Sequence, residues 1–416
     1  MQLDEQSASV LLRALDDEPH TPSTVDVTRA IADGRRRRRV RRAAAYGVAS
    51  AATALVLVGA SVAVGAMRAP ARHDQTIGTA PATAATTVPP TPSADPVPKD
   101  APAAPAKCVI AQLKVPDGRA QALVTAADPT GRIIAGRSYP DRGTSGDYHV
   151  IVWVDRQPKI VDIPGDDQAI NDINTAGVAV GLSFVGNGPA AWLYRDGKVS
   201  RLPGGDGAEA YAINDANVAV GSRDRRPIVW RSLDQPPIEL PLPDGATNGE
   251  ARDIDEDGTI VGYIEVNNSE RPYVWTSSGG RELAPPPGMP ADRGDGRGML
   301  RAYGIRNGYV TGIAAVGAAG NSAVRWDLRT GEARVYPQFF IRASMANRLG
   351  WQVGTDTQGR GLLVTDTRSV VLPDLVLHKP GELKNIPETI SDDGKVIAGQ
   401  SDDKNDVIHA VVWTCA

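Results

Sequence analysis

Three carboxylates alternate ahead of a glycine in Asp253-Ile254-Asp255-Glu256-Asp257-Gly258. Hard oxygen ligands at such spacing suit Ca²⁺. A calcium loop opened by Asp253 needs a ligand at its ninth position and a bidentate carboxylate at its twelfth. Those positions are Val261 and Ile264, so half the cage is apolar and the acids need another explanation. Other chemistry is equally hard to assemble. His20, His73, His149, His378 and His409 have no partners at the spacing of a metal site or a catalytic triad. No Gly-x-Ser-x-Gly elbow, phosphate loop or His-Glu-x-x-His occurs, and no cofactor is expected. Carboxylates are numerous enough to supply the acid pair of a glycosidase, but the sequence does not say which of them converge.

The acids make sense once the phrase is seen to recur. Asp128-Pro-Thr-Gly131 leads to Gly136, Asn174-Thr-Ala-Gly177 to Gly181, and Asn214-Asp-Ala-Asn217 to Gly221. Asp255 to Gly258 leads to Gly262, the shorter Arg306-Asn307-Gly308 to Gly312, Asn347 to Gly350 to Gly354, and Ser391 to Gly394 to Gly399. The second glycine is present in all seven copies, spaced 45, 40, 41, 50, 42 and 45 residues apart. That is the period of a propeller or solenoid. Asp, Asn or Ser at the first position can accept a backbone hydrogen bond two residues on, and the Gly or Asn three residues later tolerates φ > 0. A type I turn followed by a left-handed residue is predicted, a common hairpin connection. The acids punctuate turns.

Around each turn lie four strand-like pieces. In the fourth copy they are Ala251–Ile254, Thr259–Ile264, Pro272–Trp275 and Arg281–Ala284. The third piece returns as Val150–Trp153, Ala190–Trp192, Pro227–Trp230, Ala323–Trp326 and Ala410–Trp413, while the sixth copy has Leu363-Val364. The expected fold is all-β: a seven-bladed β-propeller of four-stranded antiparallel blades over 108–416, with the tryptophans packed between blades. Composition agrees, with 43 glycines and 32 prolines among 416 residues and little helical periodicity. A net charge of −4 argues against a nucleic-acid partner.

These motifs resemble the extracellular HAF-repeat family. His409-Ala-Val-Val-Trp413 is close to its His-Ala-Phe-x-Trp element, and Ile213 to Gly221 and its sister segments match Ile-Asn-Asp-x-Gly-x-Val-Val-Gly. The resemblance covers about residues 105–416 and is degenerate in repeats five and six. It implies a surface or secreted propeller and no particular reaction.

Ahead of the repeats the chain divides three ways. Residues 1–42 form a polar tail whose last eight positions hold seven arginines. Residues 43–67 carry no charge and are long enough to cross a bilayer as a helix. The arginines place the tail in the cytoplasm and the repeats outside, in a single-pass cell-membrane protein with a signal anchor. A cleaved signal peptide is the rival reading, disfavoured by the residues ahead of the basic run. Residues 68–107, with nine prolines, read as a disordered extracellular linker.

Two further expectations concern the repeats. The last copy lacks a fourth strand, and Cys108–Pro116 has the pattern to supply it. Cys108 and Cys415, the two cysteines, should then bond and close the ring. Loop length is concentrated on the rim opposite the tight turns, where Tyr139, Asp141, Arg142, Asp292, Arg293, Asp295 and Arg297 are candidate contacts for a partner. Three functions stay open: a membrane-tethered binding or scaffold module for an extracellular protein or cell-envelope glycan, an anti-sigma-like transmembrane signalling protein with a propeller sensor, and an enzyme acting on envelope polysaccharide.

Overall fold

A computed structural model describes residues 102–116, 121–139, 148–289, 299–315, 321–340 and 343–416. Residues 1–42, expected to form a cytoplasmic tail, the apolar segment 43–67 and most of 68–107 lie outside the described residues. Among the described residues no helix is long and apolar enough to cross a membrane.

The elements are all β-strands. Among the described residues they form five four-stranded sheets and one eight-stranded sheet; within each repeat the strands are antiparallel, the first strand of the chain joins the last sheet, and a single parallel bridge, Glu270↔Met299, links repeats four and five into the eight-stranded sheet. Each repeat opens with one strand: β2 (Gln121–Ala127), β6 (Asp166–Ile173), β10 (Ala208–Ile213), β14 (Ala246–Ile254), β18 (Met299–Arg306), β22 (Ala343–Ala346) and β26 (Asn385–Ile390). Each opening strand touches the opening strands of the repeats on either side, and β2 touches β26, so they surround an axis. The architecture is that of a β-propeller.

The turns form as their letters dictate. Gly131, Gly177, Asn217, Gly258, Gly308, Gly350 and Gly394 all have φ between 58° and 84°. Six of them donate an N–H to the carbonyl three residues back, as in Gly258 to Asp255 at 3.0 Å. The side chain that opens the turn reaches further than expected. Asn174 and Asn214 accept from the N–H four residues on, and Asp128 and Ser391 from that five residues on, so the second strand is capped across the whole turn.

The recurring second glycine has a different cause. Every opening strand is bulged by one residue, at Thr125, Asn171, Tyr211, Arg252, Tyr303, Ser344 and Glu388. The glycine of the next strand lies against this bulge. A Cβ on Gly136, Gly181, Gly221, Gly262, Gly312 or Gly399 would collide with a carbonyl oxygen of the bulged strand. Only glycine lets the two backbones approach so closely.

The core lies between neighbouring repeats. Trp153, Trp192, Trp230, Trp275, Trp326 and Trp413 are all buried. Five donate their indole N–H to the carbonyl where the preceding sheet ends, at Lys114, Pro203, Pro241, Ala284 and Pro373. Trp192 reaches the equivalent carbonyl of Pro164 through the hydroxyl of Ser183. Each indole therefore fills a seam and satisfies its one polar atom there.

The last seam closes covalently. The strand β1 (Cys108–Gln112) pairs antiparallel with β28 (Ile408–Cys415), from Cys108↔Cys415 to Gln112↔Val411. Cys108 and Cys415 are bonded, with Sγ atoms 2.05 Å apart.

Candidate functional site: a tyrosine–arginine ladder on the inner strands

The polar side chains nearest the axis fall into two groups. At the tight-turn end the acids serve the backbone of neighbouring repeats. Asp172 accepts from its own strand's Ile173 N–H (2.9 Å) and from Ile213 N–H of the next repeat (2.8 Å). Asp253 does the same with Ile254 and Ile305, at 2.8 and 2.7 Å. Asp255 takes Asn307 N–H and Gly308 N–H at 2.9 and 2.7 Å. The amides of Asn174, Asn214 and Asn347 donate to the turn carbonyls of the following repeat. Arg306 bridges Glu256 of repeat four and Asp392 of repeat seven across this end. Burial pushes the Asp172 carboxyl up to about 7 against the pull of its two N–H donors, and Asp253 is raised by burial and then by the charge of Asp172. All four carboxylate oxygens of this pair accept from backbone N–H groups, so it staples neighbouring sheets.

Nearer the long-loop end, three adjacent inner strands place large side chains on their bulges. Tyr211, Arg252 and Tyr303 occupy the position held by Thr125 and Asn171 in repeats one and two. The Arg252 guanidinium lies over the Tyr211 ring at 4.0 Å and the Tyr303 ring at 5.6 Å. Its Nη1 donates to Glu250 at 3.2 Å, while its buried Nε–H has no acceptor. Arg301 extends the stack. It covers Tyr263 at 4.4 Å, donates to the Tyr303 hydroxyl at 3.2 Å and forks onto Glu270. The Tyr211 hydroxyl donates to Glu209 and lies 3.1 Å from Ser222 Oγ. Burial raises Glu209 to about 7, with the charge of Glu250 adding to it, and burial also raises Tyr211. Flat rings, guanidinium faces, a spare N–H and a carboxyl that titrates near neutrality suit hydrogen bonding and stacking on a polar ligand.

Of the long-loop candidates, Tyr139 lies at the end of a described strand. Its ring meets Tyr148 edge-on at 5.1 Å, and Arg137 donates to its hydroxyl at 2.5 Å. Arg137 also pairs with Asp167 of the next repeat at 2.7 Å, so Tyr139 belongs to a clamp at the base of its loop. Asp141, Arg142, Asp292, Arg293, Asp295 and Arg297 lie outside the described residues. The histidines take up local roles, His378 beside Asp374 and His409 beside Asp403. The ladder escaped sequence reading although a signal for it existed. Aligning the repeats on their second glycine puts Tyr211 and Arg252 in one column with Asn171, ten residues upstream of Gly221, Gly262 and Gly181.

The chain is similar in fold to several solved propellers. An oligogalacturonate lyase in complex with manganese aligns at 11% identity over 74% of this chain and 93% of its own, with a TM-score of 0.47. TolB from Acinetobacter baumannii aligns at 15% over 69% and 67%, with a TM-score of 0.43. The WD40 β-propeller domain of Doa1 aligns at 11% over 73% and 96%, with a TM-score of 0.44. No protein-family model and no curated protein matches the chain.

Proposed function

We propose that the chain is a membrane-tethered, extracellular propeller of seven blades that binds a protein or a cell-envelope glycan. The blade number rests on the seven bulged opening strands, and kinship with the HAF-repeat family on the turn and tryptophan motifs. The tether and the outside location rest on residues 35–67 and the proline-rich linker. The observation that carries the binding reading is the ladder. Its bulge position needs only a small residue for structure, as Thr125 and Asn171 demonstrate, yet three repeats in succession carry Tyr, Arg and Tyr. The ion pairs of Arg306 across the tight-turn end favour approach of a ligand from the long-loop rim.

A pull-down with the full-length protein tests this. Replacing 139–146 or 290–298 by Gly/Ser linkers, or Arg252 by Lys, should leave the protein folded and abolish capture of the partner. Capture that survives all three changes but is lost with Asp393→Ala on the tight-turn rim would reverse the assignment of faces. Topology has its own check. A tag at residue 2 should be protected from protease in intact cells while the repeats are digested, and release into the medium of a chain starting near Met67 would contradict the anchor.

The neutral-range Glu209 beside Glu250 favours a second reading, hydrolysis of an envelope polysaccharide with Glu209 as proton donor. New reducing ends from purified peptidoglycan or capsule, lost in Glu209→Gln, would establish it.

A further inference from the structure

The two sulfurs that close the ring sit in unequal surroundings. Cys415 ends β28, is 3% exposed, and packs in the apolar seam of repeats six and seven with Trp351, Val353, Ile397 and Trp413. Cys108 is only half-buried, at the start of β1, the outermost strand of its sheet. Val109, Ala111 and Gln112 beside it are exposed, so β1 can peel away without opening the core. The order of synthesis sharpens the difference. Cys108 precedes Cys415 by 307 residues, which take roughly 15–60 s to make at ~5–20 residues per second. Through that interval Cys108 is the one cysteine of the chain to have been made. Cys415 follows, and the pairing of β28 with Val396–Asp402 carries it into the seam.

We propose that the ring is closed by a partner protein, a dithiol–disulfide oxidase, which acts first on Cys108 and leaves Cys415 as the resolving thiol. The partner rests on the outside location proposed above, because disulfides form in oxidising compartments. In the first step the Cys108 thiolate attacks one sulfur of the oxidase's disulfide. The other sulfur leaves as a thiolate, and a mixed disulfide between Cys108 and the oxidase remains. Pairing of β1 with β28 then brings Cys108 opposite Cys415. The Cys415 thiolate attacks the Cys108 sulfur, forms the native bond and expels the oxidase's second thiolate. Two protons have gone to solvent and two electrons to the oxidase, which is left as a dithiol. The reverse order fails on access. An oxidase bonded to Cys415 would have to enter the seam that Trp351 and Trp413 fill. With two cysteines there is a single intramolecular pair, so closure needs an oxidase and no isomerase.

The test offers reduced, refolded full-length protein the disulfide form of a purified thioredoxin-like oxidase or, separately, oxidised glutathione. Acid-quenched samples are mapped by mass spectrometry. The first adduct should lie on Cys108. The oxidase should close the ring about tenfold faster or more than glutathione at equal concentration, because its thiol is the better leaving group. Folded Cys415→Ala should accumulate the Cys108 adduct, while Cys415 in folded Cys108→Ala should react about tenfold more slowly, since burial shields it. The wild-type mapping needs no variant and decides the order even if a variant fails to fold. A first adduct on Cys415, equal reactivity of the two thiols in the folded variants, or closure by the oxidase no faster than by glutathione would overturn the proposal. The residue-2 tag reads the location separately: repeats on the cytoplasmic side would remove the partner while leaving the order of the two cysteines standing.

Discussion

The two ends of the propeller axis use the same residue types for opposite purposes. At the tight-turn end, Asp172, Asp253 and Asp255 spend their oxygens on backbone N–H groups, several of them in the next repeat. At the ladder, Glu209, Glu250 and Glu270 bond to side chains, which are themselves stacked on other side chains. A backbone partner cannot move without the strand that carries it, so the first arrangement sets the spacing of the sheets. A side-chain partner can rotate away, so the second can exchange its bonds for those of a ligand. Charge near an axis is therefore a poor guide to function until its partners are known.

The steepest test attacks the bulge on which both ends are built. Gly262→Ala drives a Cβ into the Glu250 carbonyl and should cost about 3 kcal/mol or more, read from denaturant melts. A melt equal to wild type would mean that the bulge can be given up. Next comes the staple. Asp255→Ala orphans two N–H groups of repeat five and should cost about 2–3 kcal/mol while partner capture persists on folded protein. Loss of capture without loss of stability would exchange the roles assigned to the two ends.

A smaller effect separates the ends by pH. Glu209 is raised from its usual 4.5 to about 7 in the folded state, so the folded chain holds this proton more tightly than the unfolded one. Its contribution is complete below about pH 4.5 and fades as pH rises to about 7, a loss on the order of 2 kcal/mol. Glu209→Gln should reduce that slope, leaving the part that belongs to Asp172. An identical slope in the variant would place the whole titration at the staples. Smallest in stability is Arg252→Lys, which keeps a cation beside Glu250 and should stay within about 1–2 kcal/mol of wild type while losing the stacked guanidinium face. A larger loss would make the ladder structural.

The turns and the ring closure were legible because each is local. The left-handed residue of each of the seven turns is Gly or Asn, and a repeat short of one strand must borrow it, as β1 is borrowed here. The second glycine was visible as a pattern, but its cause was hidden, since the colliding carbonyl belongs to a residue twelve positions upstream, as Glu250 is to Gly262. The acids of the opening stretch were assigned to their own turn, whereas Asp253 and Asp255 reach into repeat five, 52 and 53 residues on. The ladder joins three repeats through single columns of the alignment, and amino-acid type alone does not reveal that those columns stack. Long loops can be counted from a sequence, but what they meet cannot.

The place of the disulfide matters for how the domain bears tension. Val109 is 63% exposed, and β1 gives the core little beyond Ile110 and the neighbouring Leu113. Its hold on β28 is mostly a ladder of hydrogen bonds, which a pull at one end would open rung by rung. Cys108 and Cys415 form the first rung met by a force arriving from the N-terminal side, just past the bonds of Ala106 and Lys107 to Ala416. Such a force passes through sulfur into Cys415 and the strand beside Val396–Asp402 before it can peel β1. The ring is locked at the point where it would otherwise be unzipped.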